Sequence, residues 1–338
     1  PPRVAAAIAH QAARLTTHTR YLSAGVVNYA EQLLATLPKD IDNVMFACTG
    51  SEANDLALRI AKLVTGGTGV IVTSNAYHGV TTEVSSISPS LGGPESVAPW
   101  VRLVDPADLG RAVTAAIAQL LSAGIRPAAL IVDTIFASDG VIPDAVGLGP
   151  AVAAMRAAGG LFIADEVQPG FGRLGAGMWG FDRYGIVPDI VTIGKPMGNG
   201  QPISAMMTRH ELVDEFNARS RYFNTFGGST VSIAAAQATL DVLRDEELIE
   251  SAGVMGGYLK TALIGMGKFV EVRGAGLFIG AQLESERHAI DTVNALRDRH
   301  VLVATAGPHN DSLKIRPPLP FSTADATLLL TELDAVLR

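Results

Sequence analysis

Between Val44 and Met207 the chain alternates between short unbroken apolar runs and stretches of helical periodicity. The runs are "VMFA", "GVIVTS", "AALIVD", "LFIAD", "DIVTIG" and "ISAMM". An apolar strand without polar alternation is buried on both faces. Helices spaced between such strands predict a mainly parallel sheet sandwiched by helices, an α/β architecture. The first forty residues are Ala-rich and helical in period, with turn-like breaks at Ser23-Ala24-Gly25 and Pro38. From about Asp245 the pattern becomes a helix, a strand pair in "FVEVRGAGLFIGAQL", a helix, the strand "SLKIRPP" and a last helix, which predicts a smaller α+β unit. The expected division is an N-terminal helical segment 1–40 shared between small domain and linker, a large domain 41–245 and a C-terminal small domain 246–338.

Composition agrees with a buried sheet: 48% of the 338 residues are hydrophobic and 17% charged. The net charge of −7 comes with no basic stripe, which argues against a nucleic-acid partner. The single cysteine, Cys48, excludes a disulfide framework and a cysteine-based metal cluster, so no metal is expected and a reducing cytoplasm is the expected compartment. No apolar run approaches the roughly 18 residues of a membrane span, and the first residues lack a signal-peptide pattern. A soluble intracellular protein without a membrane partner is expected.

Candidate chemistry gathers where the apolar runs end. In "CTGSEANDLALRIAKLV" the turn Thr49-Gly50-Ser51 opens a helical pattern, with Ser51 the expected N-cap. A Gly-Ser turn at a helix start offers amides, a hydroxyl and the positive dipole end to a phosphate; its plain alternative is an ordinary capped helix. "NAYHG" follows "GVIVTS" and places Tyr77, an aromatic able to stack on a flat ring, where α/β folds bind ligands; a surface Tyr-His pair is the plain alternative. The run "LFIAD" ends in two adjacent acids, Asp165 and Glu166. A carboxylate there must be paired or hydrogen-bonded. Lys195, just past Ile190 to Ile193, repeats the device with opposite charge, and a desolvated lysine becomes an amine nucleophile. A simple salt bridge between the two is the plain alternative. A Schiff-base lysine, an acid for a pyridinium nitrogen, a stacking ring and a phosphate cup are together what pyridoxal phosphate requires.

These residues, with the block "LFIADEVQPGFGRLGAGMWGFDRYGIVPDIVTIGKPMGNGQP", make the sequence resemble the class III aminotransferases, fold-type-I enzymes dependent on pyridoxal phosphate. The resemblance runs from the first residues to the last helix. It implies that Lys195 forms the Schiff base with the cofactor and shuttles a proton, while Asp165 pairs with the pyridinium nitrogen. It further implies that Gln168 bonds near the phenolic oxygen, that Val167 packs on the ring face opposite Tyr77, that Gly50 and Ser51 cup the phosphate, and that His78 follows the stacking aromatic. Thr225, in "FNTFGG", matches a threonine that reaches the neighbouring subunit's cofactor phosphate. A homodimer with active sites at the interface is therefore implied, with pairing into tetramers left open. Glu166, on the opposite side of the strand, is expected to be structural.

Departures from the family pattern bear on the reaction. Asp133-Thr134 replace a common Glu-Pro, and Ser138 and Lys314 stand where glutamate-using members carry a gating glutamate and its arginine. Ala304 and Thr305 occupy the place of another mobile arginine; Arg316 is near but matches no motif. Lys314 and Arg316 are the candidate substrate residues. An N-terminal strand and a loop after "WVRLVD" are missing relative to the family, and "AQLESER" reads as an abrupt join, so skipped segments are expected. The resemblance is to the branch containing the phospholyases of phosphoethanolamine and phosphohydroxylysine, through "ISPS", "GKPMGNG" and "GPHNDSLKIRPP". The expected activity, on the family's majority, is transfer of an amino group from a primary amine or amino acid to a keto acid such as pyruvate. The alternative is phospholyase activity; a non-catalytic binding protein is a third reading, opposed by the intact Lys195 and Asp165. A dinucleotide-binding dehydrogenase is weaker still, because "GTGV" precedes its strand rather than following it.

Overall fold

The apolar runs do become strands of one sheet, joined by one strand that the pattern does not announce. The structure is a computed structural model and describes residues 1–337. The N-terminal segment forms α1 (Pro2–Arg14) and α2 (Ala24–Leu34). The expected break at Ser23-Ala24-Gly25 lies earlier: Ser23 is the extended N-cap and Ala24-Gly25 already open α2. There follow β1 (Asn43–Ala47), α3 (Gly50–Thr65), β2 (Gly69–Thr73), the single turn α4 (Thr82–Ser85) and β3 (Val101–Val104). α5 (Leu109–Ser122), β4 (Pro127–Asp133), α6 (Leu148–Ala157), β5 (Leu161–Asp165), β6 (Ile190–Ile193) and β7 (Ser204–Thr208) complete the sheet. The unannounced strand is β3, half-buried at the sheet's edge, where Arg102 breaks the apolar run.

The seven strands are ordered β1-β7-β6-β5-β4-β2-β3. β7 runs antiparallel to both neighbours, and all other pairs are parallel. Both faces are covered. Leu130, Val132, Phe162, Ala164, Val191 and Ile193 pack into one core layer, whereas Ala129, Ile131, Ile163 and Ile190 pack with Leu56 and Ile60 of α3 on the other. Alternation therefore exists in space but not in polarity, which is why the sequence shows unbroken apolar runs. Each fully buried large apolar side chain contributes roughly 2 kcal/mol.

Helices α7 (His210–Arg219), α8 (Thr230–Asp245) and α9 (Leu248–Gly265) lead to the second sheet. Its elements are β8 (Glu271–Ala275), β9 (Phe278–Gln282), α10 (Glu286–Asp298), β10 (Ala304–Ala306), β11 (Ser312–Ile315) and α11 (Thr323–Val336). The four strands are antiparallel in the order β10-β11-β9-β8, over a core including Leu259, Ile279, Leu313 and Leu333. At "AQLESER" the chain passes directly from β9 into α10, whose N-cap Ser285 accepts from the amide of His288. α1 lies along α8, with Arg3 and Asp245 paired at 2.8 Å. Two arginines clasp the sheets together. Arg273 of β8 donates to the Gly140 carbonyl at 3.1 and 3.0 Å, and Arg173 donates to the carbonyls of Leu277 and Pro317. No helix among the described residues is long and apolar enough to cross a membrane.

Candidate active site

Parallel strands leave their carboxyl ends along one edge, and the polar residues of interest gather there. β4 ends in Asp133, β5 in Asp165 in register beside it, and β6 is followed by Gly194 and Lys195. One cavity of about 340 Å³ brings together Gly50, Ser51, Tyr77, His78, Asp165, Val167, Gln168 and Lys195. Cys48 and Thr49 also line it, as do Gly79 and the segment 200–203, which were not singled out from sequence. The segment 200–203 has no charged or aromatic group to draw attention, although it ends the densest family-like block. Thr225 is not on this cavity; it is exposed, and its carbonyl accepts from the amide of Thr19 at 3.2 Å.

The start of α3 corrects one expectation: the cap is Thr49, not Ser51. Thr49 accepts from the Glu52 amide, and Glu52 accepts in return from the Thr49 amide, a capping box that the T-x-x-E spacing encodes. The carbonyl of Thr49 takes the Ala53 amide, so Gly50 and Ser51 hold the open amides of the first turn. The hydroxyl of Ser51, free of capping, accepts from the Val80 amide at 3.1 Å. Two glycines keep the floor clear. A Cβ on Gly50 would come within 3.0 Å of Val167, and a Cβ on Gly79, at φ +138°, would collide with Ser51.

The adjacent acids face opposite layers, as strand geometry dictates. Asp165 points toward α3, where its Oδ2 accepts from Asn54 Nδ2 at 2.9 Å and lies 2.8 Å from His78 Nδ1. Among the described residues its Oδ1 accepts only the Val167 amide, at 3.1 Å. Glu166 is wholly buried on the other side and accepts from the Thr134 hydroxyl and from the amides of Gly180 and Phe181 at 2.7–3.0 Å. Burial pushes its pKa up to about 8, against the pull of those three donors. Glu166 closes a loop; Asp165 lines the cavity.

The cations meet at the cavity's outer side. Lys195 is exposed and opens to the cavity; partial burial and then the nearby Arg316 lower its pKa, while Asp165 and Asp133 oppose the shift. Lys314 and Arg316 do not line the cavity itself. They stand beside it over one buried ring, 5.6 and 5.4 Å from the centroid of Phe278. Arg316 donates to Gln168 Oε1 at 2.7 Å. Neither makes an ion pair among the described residues. Burial, then Arg316, lowers the Lys314 pKa to about 8. Asp133, which accepts the amides of Ile135 and Ala137, is pushed up to about 6 by burial.

The donor set fits pyridoxal phosphate on its own terms. A lysine amine with a depressed pKa, one Asp165 oxygen with a lone pair to spare, open amides at a 16-residue helix start and a buried His78 Nε2 without a partner share one cavity. Lys195 would hold its aldehyde carbon, Asp165 its ring nitrogen, and Gly50 and Ser51 its phosphate.

Comparison with known proteins agrees. The family model Aminotransferase class-III matches residues 1–337. The chain is 37% identical over 380 positions to ethanolamine-phosphate phospho-lyase homolog 1 of Caenorhabditis elegans, covering 99% of this chain and 81% of that protein. That span exceeds the 338 residues here, so the worm protein carries residues without a counterpart in this chain. An alanine–glyoxylate aminotransferase 2-like protein of Drosophila melanogaster is 36% identical over 362 positions, covering 96% and 73%. Among solved structures, a phospholyase from Arthrobacter in complex with phosphoethanolamine superposes with a TM-score of 0.96 at 39% identity, covering 99% of this chain and 86% of that one. Pyridoxal phosphate partly occupies the active site of an ornithine aminotransferase from Toxoplasma gondii, 28% identical with a TM-score of 0.88, covering 100% and 82%.

Proposed function

The chain belongs to the class-III aminotransferase family, whose cofactor is pyridoxal phosphate, and we propose that this enzyme is a lyase releasing phosphate and ammonia from a phosphorylated primary amine. The observation that supports this most is the cation couple Lys314 and Arg316 beside Lys195, without an ion pair among the described residues. Two adjacent positive charges over one ring, without an ion-pair partner, suit a phosphate dianion better than a single carboxylate. The similarity to two phospholyases, one holding phosphoethanolamine, points the same way.

The bound cofactor supplies an aldehyde to capture the substrate amine and a ring that accepts the electron pair left by a departing proton. The chain's residues do the rest. Asp165 would present Oδ1 to the ring nitrogen, and Tyr77 and Val167, which line the same cavity, would hold the ring. Lys195 Nζ, whose pKa its surroundings lower, takes the proton from the amine-bearing carbon. Lys314 and Arg316 hold the phosphate as it leaves with the electron pair of its carbon–oxygen bond. With one water consumed, the products are an aldehyde, ammonia and inorganic phosphate. No keto acid enters, so no switch between two substrates is required.

The assembly proposed with this function is a homodimer. Thr225 is exposed and does not line its own cavity; it lies on a loop where Phe223 and Phe226 are 55% and 62% exposed. A second copy covering that loop would bury these rings and bring Thr225 to the neighbouring phosphate cup. Transamination is the second reading, because Lys195 and Asp165 serve it equally and a 36% identical relative is named as an aminotransferase. One assay separates the two. Phosphate and ammonia should appear together from O-phosphoethanolamine without a keto acid; pyruvate-dependent alanine formation with no phosphate released would overturn the lyase.

A further inference from the structure

Behind Asp165 lies a buried chain of hydrogen bonds whose direction is set by its end groups. Asn54 and Thr192 are fully buried, so water does not compete for their polar atoms. The Thr192 hydroxyl lies 2.6 Å from Asn54 Oδ1. On its other side, Asn54 Nδ2 lies 2.9 Å from Asp165 Oδ2 and 2.7 Å from the His78 carbonyl oxygen. A carboxylate and a carbonyl both accept, so the amide nitrogen must face them. The amide oxygen must then face Thr192, whose hydroxyl must donate. Reversing the amide would set an oxygen against two oxygens.

The consequence falls on Asp165. Asn54 and His78 Nδ1 together occupy Oδ2, while Oδ1 takes only the Val167 amide. The carboxylate cannot rotate without breaking both contacts to Oδ2, and Oδ1 alone keeps acceptor capacity. Asn54 also follows Gly50 by four residues on α3, so the two share a helix face. One rigid helix therefore sets the phosphate cup with its first turn and the acid with its second.

We propose that Asn54, oriented by Thr192, is a positioning residue that holds Asp165 so that Oδ1 meets the cofactor's ring nitrogen. This rests on the reading of Asp165 given above, and the test separates the two. Thr192→Val keeps shape but removes the donor that fixes the amide; Thr192→Ser restores it; Asn54→Ala removes the contact. Three quantities are measured for each: the dissociation constant of pyridoxal phosphate from the cofactor-free protein, the pH at which bound-cofactor absorbance changes, and the unfolding temperature of the cofactor-free protein.

Thr192→Val and Asn54→Ala are expected to weaken cofactor binding about tenfold, the scale of one hydrogen bond to a charged group. They should also move the absorbance midpoint in the direction of Asp165→Asn, and Thr192→Ser should match the parent. Lowered unfolding temperatures with parental affinity and midpoint would overturn the inference, leaving Asn54 a packing residue. If Asn54→Ala fails to fold, the Thr192→Val and Thr192→Ser pair decides alone. If Asp165→Asn itself moves neither affinity nor midpoint, the reading of Asp165 falls first; if it moves both while the other variants move neither, only the role of Asn54 falls.

Discussion

The floor and the rim of the cavity are built on opposite rules. On the floor, both Asp165 oxygens are met by protein donors, and those donors are fixed in turn by Thr192 and α3. At the rim, Lys314 and Arg316 have an aromatic face, a glutamine oxygen and no ion-pair partner among the described residues. The rim groups also come from a different sheet, joined to the floor through the clasps of Arg173 and Arg273. A preorganised acid suits a cofactor that stays from one turnover to the next, whereas unanswered cations suit an anion that arrives and departs. Under the proposed function, the two regions serve two ligands.

Five experiments press on that contrast. Lys195→Ala, where floor and rim meet, should cost about 10⁴-fold in turnover by removing the group that moves the proton, read by phosphate release. On the floor, Asp165→Asn should cost about 10²-fold or more in turnover. Glu166→Gln should leave turnover within about fivefold and instead lower stability by about 1–3 kcal/mol in denaturant unfolding, through its three buried donors. Equal activity loss in two stably folded variants would erase the distinction between the acids.

At the rim, Lys314→Met should raise KM for O-phosphoethanolamine by about 10–100-fold with a smaller change in kcat, the worth of a charge-assisted contact. A fall in kcat with KM unchanged would move Lys314 from binding to chemistry. The smallest effect is a pH dependence. Lys314 titrates in the fold near about 8, below an ordinary lysine, so it is charged below that pH and neutral above. Apparent affinity for the phosphorylated amine should therefore decline as pH rises through about 8, and Lys314→Arg should remove the decline. The sign for stability is opposite. Between about 8 and the ordinary lysine value, the unfolded chain binds the proton that the folded one releases, so this residue's contribution to stability rises with pH.

Much of the floor was legible in the sequence. A buried strand ending in Asp165, another followed by Lys195 and a Gly-Ser turn opening a helix are local patterns with few physical explanations. The capping box was legible too, since Thr49 and Glu52 stand at the required spacing, yet Ser51 drew the assignment because it closes the turn. Asn54 was not legible. Within "SEANDLALR" it reads as a polar residue on an amphipathic helix, and nothing local says that its neighbour is 111 positions away. β3 and β10 also escaped, the first through Arg102 and the second through its length of three residues.

The sequence by itself determined which segments become buried strands, that acid and lysine emerge from the same sheet edge, and that the two acids where β5 ends face opposite ways. These follow from periodicity and from the cost of burying an unpaired charge, and both are properties of single segments. The tertiary structure alone decided what each charge meets. Asp165 finds Asn54 and His78, Glu166 finds the loop at Gly180, and Lys314 and Arg316 meet over Phe278. Those meetings depend on strand order and on the docking of the second sheet. They join residues far apart in the chain, and no local pattern encodes such distances.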